Sequence, residues 1–137
     1  MMLQPYLSRV ETVGEFSTIY FDGGFSHAVQ KVPVAGDYRV QDDFGASDHA
    51  IEPSPELLKI SEQVLRTVGL ILEPQMGVAE RGAQPILYAR IDYLEDDGGA
   101  LVVNEVELIE PSLFFRHGPQ AGDTLADALA RRVRSSV

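Results

Sequence analysis

Between Pro85 and Ile109 two strand-like runs, PILYARIDYL and LVVNEVELI, flank the sequence Glu95-Asp96-Asp97-Gly98-Gly99. Runs rich in β-branched and aromatic residues around a Gly-rich turn predict a β-hairpin. Side chains alternate along a strand, so this hairpin has two unlike faces. One carries Ala89, Ile91, Val102, Asn104, Val106 and Leu108, mostly apolar and suited to packing under a helix. The other carries Arg90 and Asp92 on the first strand and Glu105 and Glu107 on the second.

Two carboxylates ~5 Å apart repel by roughly 3 kcal/mol at an effective dielectric of about 20. Three acids on one face therefore require a cation, raised pKa values or free solvent. An all-oxygen donor set favours Mg²⁺ or Mn²⁺ over zinc. A solvated polar face, with Arg90 in a surface salt bridge, accounts for the same spacing.

The rest of the chain builds outward from this hairpin. Phe16 to Phe21 and Phe25 to Val32 enclose Asp22-Gly23-Gly24, which predicts another hairpin. Pro33 to Asp37 reads as a loop, Tyr38 to Gln41 as a short strand, and Asp42 to Pro53 as polar and irregular. Ser54-Pro55-Glu56 is a helix start, with Leu57, Ile60, Val64, Leu65 and Val68 at helical spacing and Gly69 placed to end it. Gly69 to Gln84 reads as loop. Asp123 can cap a last helix whose stripe is Leu125, Leu129 and Val133, with Arg131, Arg132 and Arg134 toward its C-terminus. The order ββ, helix, ββ, helix predicts an α+β fold, an antiparallel sheet with helices on one face.

The 137 residues fit one domain, spanning 1–137. No run approaches the ~20 apolar residues of a membrane span, and the first residues lack the basic and apolar regions of a signal peptide. Cysteine is absent, which excludes disulfides, thiolate metal sites and a Cys nucleophile and is compatible with a cytoplasmic location. A net charge of −10 argues against nucleic-acid binding. Ser8, Ser17 and Ser112 have no His/Asp framework, so no hydrolase triad is expected. His27 is expected on the hairpin surface, and His49 and His117 in loops without a role.

Arg90-x-Asp92, then Glu105-x-Glu107 thirteen and fifteen residues after the Asp, then Pro111, resembles the Arg-x-Asp … Glu-x-Asn … Pro signature of ATP-grasp enzymes. D-alanine–D-alanine ligases and glutathione synthetases belong to that family. Glu107 stands where the family has Asn, and the gap to Pro111 is longer by one residue, which leaves Glu110 as an alternate ligand. The resemblance implies that Asp92, Glu105 and Glu107 hold Mg²⁺ (or Mn²⁺) on the nucleotide phosphates and that Arg90 contacts phosphate. Upstream, Gln4-Pro5-Tyr6-Leu7 and Gly14-Glu15-Phe16-Ser17 are similar to the family's hinge, which implies adenine readout around Gln4, Tyr6 and Leu7 and a ribose contact from Glu15. Gly36-Asp37-Tyr38-Arg39 resembles a family loop whose arginine, here Arg39, faces phosphates or a substrate carboxylate, and Lys31 at the end of the first hairpin is a nucleotide-binding candidate.

The likeness covers roughly residues 4 to 115 and begins at the hinge, so it implies the C-terminal ATP-grasp subdomain without its N-terminal half. The function implied is the ATP- and Mg²⁺-binding half of an ATP-dependent carboxylate ligase working through an acyl phosphate, inactive alone. Its partners would be ATP and either a second copy or a separate N-terminal half. A non-catalytic nucleotide- or metal-binding module, or one that dimerises, and a plain α+β domain with a solvated acidic face are the competing readings.

Overall fold

The computed structural model describes residues 3–40, 45–72 and 86–135. Five strands form one antiparallel sheet: β1 (Glu15–Phe21), β2 (Gly24–Val32), β3 (Ser47–Ile51), β4 (Tyr88–Glu95) and β5 (Leu101–Glu107), in spatial order β3-β2-β1-β4-β5. Two helices complete it, α1 (Pro55–Leu72) and α2 (Ala121–Ser135). The α+β class and the antiparallel sheet are those expected from the sequence.

Both hairpins form where the turn residues demand them. Asp22 and Gly23 take φ of 51° and 79°, the paired left-handed conformations that suit the twist of a two-residue hairpin turn. In the second turn Asp96 Oδ1 accepts from the N–H groups of Gly98 and Ala100, both at 2.9 Å. β4 starts at Tyr88 and β5 stops at Glu107, two residues short of the expected Ile109.

The third strand differs from expectation. Tyr38 to Val40 have no regular structure, and the edge strand is Ser47–Ile51, inside the segment expected to be irregular. This strand is polar and largely exposed, so it lacks the apolar alternation that marks a strand in sequence. Gln41 and Asp42 to Phe44 lie outside the described residues, as do 73–85 of the expected loop and strand start.

α1 begins as its sequence dictates: Ser54 Oγ accepts from the Leu57 N–H at 3.1 Å. It runs through Gly69 to Leu72, because a glycine within a helix costs only ~1 kcal/mol and does not by itself stop it. Leu57, Ile60, Val64 and Leu65 pack on Phe16, Ile91 and Tyr93. α2 starts at Ala121, two residues before the expected cap Asp123, which lies in its first turn. Ala121 and Leu125 pack with Ile19, Phe21, Val29, Tyr88 and Phe114, while Leu129 and Val133 of the expected stripe are exposed. Residues 19 and 88 point opposite to 16, 91 and 93, so the two helices lie on opposite faces of the sheet rather than sharing one. Among the described residues, no helix is long and apolar enough to cross a membrane.

Candidate functional site

The face of the sheet that carries α2 at one end carries the polar residues at the other. Glu15 and Ser17 on β1, Lys31 on β2, and Arg90 and Asp92 on β4 all point to this face, and register brings them together. Glu15 lies opposite Lys31, and Ser17 lies opposite Asp92. All five are buried, which excludes the solvated surface salt bridge for Arg90 and Asp92. Such burial is sustained only by pairing.

The pairing forms a chain of alternating sign. Lys31 Nζ is 2.5 Å from Glu15 Oε2 and 3.3 Å from Asp92 Oδ2. Asp92 also accepts from the Ser17 hydroxyl at 2.6 Å and from Arg90 Nε at 3.1 Å. Arg90 Nη2 lies 2.8 Å from Glu107 and 3.8 Å from Glu105. Burial, then the neighbouring Asp92, pushes the Glu15 carboxyl above the ordinary carboxylate range. Glu105 is also pushed up, by desolvation and by Glu107 and Asp92, although its side chain remains half exposed.

The sheet register adds a residue that alternation misplaced. β4 and β5 pair Asp92 with Glu105 and then Tyr93 with Val103, so Asn104 occupies a bulge. Its side chain turns to the polar face and donates to Glu15 Oε1 at 2.8 Å, not to the apolar face. Gly14, at φ +82°, precedes Glu15 and lies so close to the Lys31 carbonyl that any Cβ would strike it. That close approach fixes the backbone between the two paired side chains.

Above this network lies a cavity of ≈ 940 Å³. Gln4, Tyr6, Leu7, Glu15, Lys31, Arg39, Arg90, Asp92, Glu105 and Glu107 all border it. Arg39 is at the exposed rim, where its guanidinium pairs with Asp37. The acids are oxygen donors suited to a hard divalent cation, but among the described residues no three His, Asp or Glu side chains are gathered closely enough to hold a metal as they stand. They converge on Arg90 instead. Glu110 takes a left-handed conformation (φ 59°) and is exposed.

Residues 112–117 cross this face of the sheet as a strap. The Ser112 carbonyl accepts from Arg90 Nη1 at 3.3 Å, and the Leu113 carbonyl lies 3.0 Å from His27 Nε2. At its end His117 Nε2 is 2.6 Å from Asp48 on β3, and Arg116 pairs with the same carboxylate. His27 is therefore buried under the strap, not on the hairpin surface, and His117 has an acidic partner. Phe114, left-handed at φ 46°, lines the cavity and places its ring 6.0 Å from Lys31 Nζ, 5.9 Å from Arg90 Cζ and 5.5 Å from Arg116 Cζ. Neither Phe114 nor Arg116 carries a spacing signal in sequence, because only the strap's path brings them here.

No protein-family model matches the chain. It is 28% identical to the cycloserine biosynthesis protein DcsG of Streptomyces lavendulae, an alignment covering 98% of this chain and 42% of that protein. The crystal structure of the D-cycloserine synthetase DcsG superposes with a TM-score of 0.75 at 26% identity, over 94% of this chain and 41% of that one. D-alanine–D-alanine ligase from Bacillus anthracis complexed with ATP gives 0.50 at 22% identity, over 89% and 39%. The ATP-grasp ligase PsnB, complexed with a phosphomimetic variant of its minimal precursor, Mg and ADP, gives 0.51 at 19%, over 85% and 32%. The chain thus spans about two fifths of the length of the curated relative it matches. Its fold is that of an ATP-grasp ligase, as a partial domain.

Proposed function

We propose that this chain is the C-terminal ATP-grasp subdomain of an ATP-dependent carboxylate ligase, and forms the wall of the nucleotide site that holds Mg²⁺ and the phosphates. The observation that supports it most is that the hinge residues Gln4, Tyr6 and Leu7 and the charged residues of β1, β2, β4 and β5 border one cavity. A volume of ≈ 940 Å³ lies at the upper end of the range for small-molecule and cofactor pockets.

In this reading the segment at Gln4, Tyr6 and Leu7 receives the adenine, and Glu15 lies beside it toward the ribose. Lys31, Arg90 and Arg39 present positive charge to the phosphates. Asp92, Glu105 and Glu107 supply oxygen donors for Mg²⁺ or Mn²⁺. The metal neutralises phosphate charge when bound. Ser17 and Lys31 hold one side of Asp92, while the side chain of Glu105 stays half exposed. The reaction of the whole ligase activates a carboxylate as an acyl phosphate for attack by a second substrate, so no protein nucleophile is required.

Metal binding tests this. A cation that binds the native state raises its thermal midpoint. Mg²⁺ or Mn²⁺ is expected to stabilise the chain, and Glu105→Gln to reduce that gain more than Glu95→Gln, which alters a carboxylate paired with Arg9 away from the site. Equal effects of the two substitutions would remove the metal from the proposal.

A further inference from the structure

One guanidinium nitrogen, Arg90 Nη2, is 3.1 Å from Asp92, 2.8 Å from Glu107 and 3.8 Å from Glu105. We infer that Arg90 is a stand-in cation: it occupies the centre of the acid cluster until a divalent ion takes its place, and the metal's arrival releases it toward the phosphates. The inference rests on the reading of these acids as metal donors.

Charge and size carry the argument. Arg90 cannot lose its proton, so it supplies a permanent positive charge where Asp92 and Glu107 would otherwise repel. Its planar fork holds Asp92 and Glu107 at hydrogen-bond distances, with Glu105 farther off at 3.8 Å. A divalent ion needs its oxygens much closer, at about 2.0–2.1 Å for Mg²⁺. The acids cannot close around a metal while the guanidinium lies between them, and two cations there would repel. Metal and Arg90 therefore compete for one position.

What Arg90 does on release is set by its surroundings. It already borders the cavity, and its Nη1 donates to the Ser112 carbonyl, a contact independent of the acids. The ring of Phe114 lies 5.9 Å from its Cζ and offers a face to the cation. The displaced guanidinium thus lacks an anion while remaining at the wall where phosphate would lie. A polyphosphate supplies that anion. Each ligand then lowers the cost of binding the other, so metal and polyphosphate bind cooperatively by more than their own complexation explains.

The test uses the chain with Mn²⁺ alone, with inorganic triphosphate alone, and with both. Arg90→Gln is expected to bind Mn²⁺ alone about fivefold or more tightly than wild type, and to lose the cooperativity. Arg90→Lys keeps a cation and is expected to bind Mn²⁺ alone less tightly than Arg90→Gln. A second measurement is read on the unaltered chain. The Arg90 Nε–H resonance, identified by its loss in Arg90→Lys, should move when Mg²⁺ is added without nucleotide. Metal binding that leaves this resonance unmoved, or equal Mn²⁺ affinity in wild type and a folded Arg90→Gln, overturns the inference and leaves the metal site standing. No metal binding by either chain removes both.

Discussion

Glu15 and Lys31 face each other across the β1–β2 register and close a 2.5 Å ion pair, with both side chains buried. The same Lys31 ammonium also reaches Asp92 on β4, so a single ammonium holds two buried carboxylates.

Removing that ammonium should be costly. Lys31→Met leaves two acids buried without their shared partner, and breaking a buried pair in this way typically costs 3–5 kcal/mol, so a loss of about that size is expected in urea unfolding. Adding Glu15→Gln should recover part of it, since the second change removes one of the stranded charges. A loss below about 1 kcal/mol, the range of surface pairs, would show that the network is solvated.

The raised pKa of Glu15 gives stability a pH dependence of definite sign. Its folded value lies above the ordinary ~4.3 of an unfolded Glu, so between the two the folded state binds more protons. The contribution is therefore complete below the unfolded pKa and is lost as pH rises through the folded one. Thermal midpoints measured upward from pH 4 should show this decline, and Glu15→Gln should flatten it. An unchanged slope in the variant would place the titration elsewhere.

The opposite face gives a control. Ser61 on α1 is fully buried, accepts from the Tyr93 hydroxyl at 2.8 Å and donates to the Leu57 carbonyl at 2.7 Å. Ser61→Ala removes the acceptor of the Tyr93 hydroxyl, which keeps Thr18 as a partner, and is expected to cost about 0.5–1.5 kcal/mol, the net worth of one hydrogen bond. Because α1 and the charged network lie on different faces, Mn²⁺ affinity of the folded variant should match wild type. A matched loss of affinity would show that the two faces are coupled.

The 137-residue polypeptide by itself is expected to bind nucleotide without turning it over, because it spans 42% of the related synthetase and a site bounded on one side leaves the phosphates in water. ADP release with Mg²⁺ and a panel of amino acids is the measurement. Sustained turnover that disappears in Asp92→Asn would show this wrong and point to a second copy completing the site. Absent turnover that returns when a separately supplied N-terminal half is added supports the ligase reading, and failure to restore it favours a non-catalytic module.

Much of this was legible in the sequence wherever local chemistry and period agree. Asp22-Gly23 and Asp96 to Gly99 announce their turns, Ser54 announces its cap, and alternation places Arg90 and Asp92 together. What was not legible depends on neighbours distant in sequence. Ser47–Ile51 is a strand because β2 offers it an edge, not because its own residues are strand-like. Asn104 joins the polar face through a bulge that alternation cannot foresee. His27 is buried only because a segment some 86 residues later lies over it.

That strap also sets an order in time. Its anchors on Arg90, His27 and Asp48 span 22, 86 and 69 residues of chain, and they belong to three different strands. Closing such loops costs entropy that is recovered only when the strands already stand side by side. The strap is therefore laid down late in folding, after the sheet has assembled beneath it. Since Phe114 arrives with the strap and lines the cavity, that wall of the cavity is among the last parts of the molecule to form.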